Sequence, residues 1–499
     1  MGVISIAVTV LVALPAVYLV IRASGAGWDT VEASLLRART ADLAVNTVQL
    51  AVAVTAASVI LGVAMAVCVC RGIRRGRTLA VALLAAPLAV PSYVSGFAWG
   101  RMFSGFEGFP AAVLVLIMAC YPLVMLPAIA VLSAAGRSAE DVARTLGYGP
   151  LRTFLWATAP RLRTAVAGGA LLVALYTVSD FGGPAIVRYE VFTVGIYNAY
   201  NGSVDRSLAA VYGCVLVVIA LVLALSERLA RGDHDEIGAP ERRPASSESP
   251  VAWLCVTATV TVGLFAPIWS LISAIRTSQR VPMSSVADVK DLLVWVWPLA
   301  RNTFEIAMIA AAVIVVVSVP VALFIRRPRT PLSGAVEVTL NLGFALPGIA
   351  VALALVFFGI RVLPELYLTT TMLTAAYLIL FLPVCLGPLR GAFDAIAPGQ
   401  EDSARTLGAG YLATIARVSL PTVTPALVAG AALACLSVAK ELPATLMLAP
   451  IGTRTLATDL WSLNNDLRYG QAAVLGLALI VVTSIPTVLL STRFLPRGE

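Results

Sequence analysis

The sequence predicts an all-α membrane protein of about twelve transmembrane helices, arranged as two tandem six-helix halves. Three observations predict it. The 499-residue chain is 59% hydrophobic and only 12% charged, about half the charged fraction of soluble domains, so a water-soluble core cannot hide its apolar surface. Apolar runs of roughly twenty residues, long enough to cross about 30 Å of hydrocarbon as a helix, occur twelve times. Short motifs among the first six runs return among the last six. Because lipid offers backbone groups no water, each run closes its hydrogen bonds within a helix.

The runs of the first half are 3–21, 45–70, 78–100, 111–133, 164–186 and 208–226; those of the second are 251–275, 303–325, 337–360, 366–387, 423–447 and 471–492. The first lacks the basic leader of a signal peptide and reads as a retained helix. Arginines cluster in the even-numbered connections, as in Arg71, Arg74, Arg75 and Arg77 after the second run or Arg326, Arg327 and Arg329 after the eighth. The positive-inside rule then puts both termini in the cytoplasm, although Arg22, Arg37 and Arg39 count against it locally. The net charge of +8 faces anionic lipid and partners in those loops, and no basic domain stands apart for nucleic acid. The seven cysteines all lie inside apolar runs without zinc spacing and read as small core residues.

A polar stretch, 227–250, rich in Pro, Ser, Glu and Arg, reads as a cytoplasmic linker between a first domain, 1–226, and a second, 251–499. Asn46-Thr47 returns as Asn302-Thr303 and Pro91 as Pro347, 256 positions on; Ala143-Arg144-Thr145-Leu146-Gly147 returns letter for letter as Ala404-Arg405-Thr406-Leu407-Gly408, 261 positions on. The chain is a tandem duplication. With six spans each, the copies share one orientation as parallel repeats, with a path between them.

The repeated pentapeptide falls in the loop after the fourth span of each half. Asp141 opens the first copy, and Pro160 stands thirteen positions after Gly147; Asp402 opens the second, and Pro421 stands thirteen after Gly408. An acidic residue suits the positive end of a helix dipole and a glycine ends a helix. Each loop, 137–163 and 390–424, therefore reads as a short helix and an elbow that closes near a proline at the next span.

This pattern resembles the EAA loop of ABC-importer permeases, whose helices dock in a cleft of an ATPase. Asp stands for Glu in both copies, Val142 and Ser403 for the first alanine, and Ala159 for the usual leucine, which Leu420 keeps. The resemblance implies the MetI-like permease fold and ATPase-coupling roles for Asp141, Ala143, Arg144, Gly147, Pro160, Asp402, Ala404, Arg405, Gly408 and Pro421. It also implies partners: two copies of an ABC ATPase subunit, an extracytoplasmic solute-binding protein, and the inner-membrane bilayer. The stretches Val178-Ser179-Asp180-Phe181-Gly182-Gly183-Pro184, Lys440-Glu441-Leu442-Pro443 and Thr455-Leu456-Ala457-Thr458 look like the ferric-iron permease subfamily, and Ala89 to Val94 and Ala345 to Gly348 add to it. Thiamine, phosphonate and polyamine permeases share part of the pattern and stay open as alternatives.

Enzymatic readings find no residues. A phosphate-cradling loop needs lysine after glycine, yet Lys290 follows Val289 and Lys440 follows Ala439, so no ATP site or other cofactor is expected here and the hydrolysing motor is another chain. His234, the single histidine, lies in the linker as a solvated residue, and no catalytic or metal constellation is visible. An ion-coupled secondary transporter would need carboxylates deep in the membrane, whereas Glu305 and Glu337 lie near span ends. Asp180 and the pair Lys440-Glu441 occupy equivalent places and either pair locally or line the pathway or gate. Pro91 and Pro347 interrupt matching spans, as packing kinks or as broken pathway helices. Asn46 and Asn302 read as N-caps or interhelical hydrogen-bonders.

Overall fold

The computed structural model describes residues 2–494 apart from 26, 135–137, 203–205, 231–247, 279–285, 327–329 and 344; all regular structure among the described residues is helical. Most of the linker, with His234, lies outside them. The first half runs α1 (Gly2–Ser24), α2 (Trp28–Leu35), α3 (Ala38–Gly72), α4 (Arg77–Ala85), α5 (Ser92–Met102), α6 (Gly108–Ala134), α7 (Ser138–Thr145), α8 (Pro150–Thr153), α9 (Ala159–Ser179), α10 (Gly182–Ile186), α11 (Phe192–Gly202) and α12 (Ser207–Ala230). The second half runs α13 (Pro250–Val260), α14 (Ala266–Arg276), α15 (Val286–Ile325), α16 (Pro331–Gly343), α17 (Gly348–Arg361), α18 (Thr370–Asp394), α19 (Pro398–Thr406), α20 (Tyr411–Thr414), α21 (Leu420–Ala439), α22 (Pro443–Leu448), α23 (Leu456–Asn465) and α24 (Tyr469–Phe494).

Each of the twelve apolar runs holds helix, and several are interrupted within the run. Nine helices among the described residues are long and apolar enough to cross a membrane, and Arg77–Ala89 with Ser92–Met102 makes a tenth, bent by 90°. Gly348–Arg361 and Tyr469–Ser484 are shorter apolar helices in the ninth and twelfth runs.

The elbows differ from expectation in one respect. Instead of closing at the proline, each runs on as one helix, over Pro150–Ser179 and Tyr411–Ala439. Proline lacks an N–H and its ring crowds the carbonyl four residues back. That carbonyl belongs to Trp156 for Pro160 and to Arg417 for Pro421, and both lie in five-residue π-helical turns, Phe154–Thr158 and Ile415–Ser419. The widened turn absorbs the proline without a break.

The chain forms two compact units. One comprises Met1–Leu36, Ile196–Val217 and Ile275–Glu499; the other comprises Arg37–Gly195 and Val218–Ala274. In the first, α1 packs on α15, α16 and α17, and Tyr18 meets Phe358 edge-on at 5.5 Å between centroids; α15, α18 and α21 pack on one another. In the second, α3, α6 and α9 form the centre. Gly62 lets α3 approach α6 closely, since a Cβ there would meet the Tyr121 carbonyl oxygen at 2.9 Å. Antiparallel to α3 runs α13, whose Ser249 N–H donates to the Gly72 carbonyl (2.8 Å) and whose Thr259 hydroxyl faces the Met65 sulfur (3.4 Å). Each unit thus takes a first helix from the other half of the sequence. An apolar stripe reports that a helix is buried but not against what.

Candidate functional site

The two elbows are built alike. In α7 the helix ends with Gly147 at φ +80°, and in α19 with Gly408 at φ +88°. The Tyr148 N–H reaches back to the Ala143 carbonyl and the Gly147 N–H to Arg144, both 3.0 Å; Ala409 and Gly408 bond Ala404 and Arg405 in the same way at 3.0 and 2.9 Å. This paired closure requires a left-handed residue after the last helical turn, which glycine adopts without steric cost. Nothing lies within 4 Å of a Cβ built on either glycine, so the requirement is conformational rather than spatial.

Asp141, Asp402, Arg144, Arg405, Pro160 and Pro421 are exposed, Ala143 is buried and Ala404 half-buried. Asp402 and Arg405 approach at 3.9 Å. The residues that fix each elbow are their neighbours, which the motif comparison passed over. Glu140 accepts from Arg71 at the end of α3 (2.7 Å) and from the Thr158 hydroxyl (3.0 Å). Glu401 accepts from Arg326 (2.7 Å) and from the Ser419 hydroxyl (2.8 Å). Both glutamates and both hydroxyl residues obey the 261-residue repeat, a signal that was present in the sequence. Burial pushes the Glu401 carboxyl up, but hydrogen bonds from Arg326 and Ser419, with the Arg326 and Arg405 charges, outweigh it and hold the group below its ordinary value. Held at the base, each elbow presents apolar side chains outward: Leu146 and Leu151 in the first, Leu407 and Leu412 in the second, all at least 67% exposed.

The other predicted residues meet at the breaks in the third span of each half. Pro91 (ψ 142°) and Pro347 (ψ 137°) are extended and stand immediately before α5 and α17. Asp180, which caps α9, accepts from the Ser92 hydroxyl (2.8 Å) and the Gly183 N–H (3.1 Å). In the second half Lys440 caps α21, and Glu441 accepts from the Ala444 N–H (3.2 Å). Its carboxylate lies 2.7 Å from where a Cβ of Gly348 would be. Gly348 is the counterpart of Ser92, so a longer acid opposite glycine replaces a shorter acid opposite serine.

Asn46 and Asn302 lie inside α3 and α15, not at their starts, which removes the N-cap alternative. They donate to the Glu190 carbonyl (2.9 Å) and the Arg454 carbonyl (3.1 Å), and the adjacent Thr47 and Thr303 hydroxyls accept from the Phe192 and Leu456 N–H groups (3.0 and 2.9 Å).

Residues 314–497 match the family model of the binding-protein-dependent transport system inner membrane component. Over that segment the chain carries a binding-protein-dependent permease domain. The whole chain is 29% identical to the Fe(3+)-transport system permease protein FbpB 2 of Haemophilus influenzae over 491 residues, 96% of the chain and 95% of that relative. The ferric transport system permease protein FbpB of Actinobacillus pleuropneumoniae is 21% identical over 397 residues, 75% of the chain and 57% of the relative. A putative 2-aminoethylphosphonate transport system permease protein, PhnU of Salmonella typhimurium, is 28% identical over 271 residues, 49% of the chain and 92% of the relative.

Proposed function

We propose that this permease forms the translocation pathway of an ATP-driven importer for ferric iron, as two tandem domains, 1–226 and 251–499, with both termini in the cytoplasm. The observation that carries the iron reading is likeness along 96% of the chain to a permease named for Fe(3+). ATP is hydrolysed by two separate ATPase subunits that dock on the elbows, and an extracytoplasmic binding protein delivers the solute.

The geometry supports a lever. The exposed leucines of each elbow offer an apolar tip to a partner, and the Arg71–Glu140 and Arg326–Glu401 pairs fix its base. From that tip Pro150–Ser179 and Tyr411–Ala439 continue as helices of 30 and 29 residues, about 45 Å at 1.5 Å per residue. The first ends at Asp180, beside Pro91-Ser92, and the second at Lys440, next to Glu441 beside Pro347-Gly348. A push on Leu146 or Leu407 is thereby delivered to a third-span break, the element suited to gate the path. Asp141, Ala143, Arg144, Gly147, Pro160, Asp402, Ala404, Arg405, Gly408 and Pro421 shape the elbows; Asp180, Lys440, Glu441, Pro91 and Pro347 belong to the gate.

Uptake of radiolabelled ferric citrate by a deletion strain carrying the permease and its ATPase tests the reading. Uptake that requires both genes is the expected result. Rescue of growth on 2-aminoethylphosphonate with no iron uptake would replace ferric iron by phosphonate.

A further inference from the structure

Buried polar atoms without a hydrogen-bond partner are costly in a protein interior, and in a membrane polar side chains mark places reached by water or solute. Among the described residues such atoms include the hydroxyls of Thr55, Ser58 and Ser95 and the indole nitrogen of Trp99. All four belong to the first half, as does the Arg71 Nε, whereas the Gln471 Oε1 belongs to the second. At the counterparts of the four, 256 positions on, stand Ala311, Ile314, Val351 and Leu355. At these four positions the copies differ, with hydrogen-bonding groups in the first half and hydrocarbon in the second.

Two of the four lie on α5. Ser92, Ser95 and Trp99 are spaced three and four residues apart and so share one helix face, over about 10 Å of axis. At one end the Ser92 hydroxyl donates to Asp180. At the other the Trp99 ring stacks against Phe103 and Phe106, with centroids 5.8 and 5.9 Å away, which fixes the indole while leaving its N–H unpaired. Ser95 and Trp99 are 4% and 9% exposed. Val351 and Leu355 of α17 are buried to the same degree and carry nothing to pair.

We propose that the Ser92–Ser95–Trp99 face of α5, with Asp180, is a solute-contacting face that α17 lacks. Its ligand is a cation wrapped in oxygen, either water or the oxygens of a chelate. The row offers O–H and N–H donors and a single carboxylate, too few oxygen ligands for a bare hard cation. The indole N–H donates to chelate oxygens, the serine oxygen and the Asp180 carboxylate accept from the outward hydrogens of a water shell, and Asp180 supplies the opposite charge. The ferric part of this assignment rests on the function proposed above; the one-sidedness does not.

Cysteine accessibility tests it. In a background with the seven native cysteines replaced by alanine or serine and uptake retained, single Ser95→Cys and Val351→Cys variants are treated from outside with a membrane-impermeant, cationic methanethiosulfonate. Ser95→Cys is expected to label at least tenfold faster than Val351→Cys, and ferric citrate to slow it. Equal rates at the two positions, or no labelling of Ser95→Cys with or without ATP, would overturn the proposal. Fast labelling that ferric citrate leaves unchanged but 2-aminoethylphosphonate slows would keep the one-sided face and overturn its cationic ligand together with the iron reading. Should the cysteine-free background not fold, Ser95→Val and Trp99→Leu in the native chain install residues the other half already buries. Each should cut uptake at least tenfold with ATPase co-purification unchanged, and unchanged uptake would refute the inference.

Discussion

Replacing Gly147 and Gly408 tests the elbow design most directly, because the structure separates shape from size. With φ at +80° and +88°, any residue with a Cβ must hold the left-handed conformation, at about 1–2 kcal/mol each. Open space around both positions means that no clash adds to it. Alanine at both sites therefore strains the two elbows by about 2–4 kcal/mol in total, about a 30- to 700-fold loss in the population of correctly closed elbows at tenfold per 1.4 kcal/mol. Asparagine, which tolerates this conformation better, should lose distinctly less. The assay is co-purification of the ATPase with tagged permease from membranes, alongside uptake, with chain insertion measured separately. The ranking glycine, then asparagine, then alanine is expected. Equal behaviour of alanine and asparagine, or full ATPase recovery with alanine at both sites, would refute the reasoning.

Removing Arg71 as Met leaves Glu140, 7% exposed, without its ion-pair partner, and should destabilise the first unit by about 3–5 kcal/mol; adding Glu140→Gln should recover most of that in detergent melting curves. Because the Glu401 carboxyl is held below its ordinary 4.5, its ionised form stabilises the second elbow above that value and the stabilisation is lost as pH falls below it. Thermal stability should thus be flat in this respect from about pH 8 to about pH 5 and decline below about 4.5, with Glu401→Gln removing that acid-dependent part. Thr303→Val deprives the buried Leu456 N–H of its acceptor and should cost about 1–3 kcal/mol, whereas Thr303→Ser should be near neutral; equal melting of the two would exclude the hydrogen bond as the cause.

Local chemistry and the repeat made much of the fold legible. Apolar run length located the nine long apolar helices and the bent pair among the described residues, Gly147 and Gly408 marked the elbow turns, and Pro91 and Pro347 marked the breaks. What stayed hidden depends on partners far away in sequence. Arg71 lies 69 residues from Glu140, and Arg326 lies 75 from Glu401; nothing local links such residues. Asp141 and Asp402 drew attention by matching a motif, while the anchoring carboxylates sat one position earlier. Pro160 and Pro421 suggested helix ends because proline opposes a regular α-helix, but a π-helical turn changes the geometry it meets.

The acid and the residue facing it at each break form an inherited pair. Asp180 accepts from the Ser92 hydroxyl, whereas Glu441, one methylene longer, fills the place beside Gly348 where a side chain would stand. In an assembly of two identical chains, one mutation would alter both sites at once, so intermediate mismatches would appear twice. A fused gene exposes one site at a time, letting each pair drift through its mismatch while the other copy keeps working. Exchanging both partners together, Asp180→Glu with Ser92→Gly, retraces such a step in one generation.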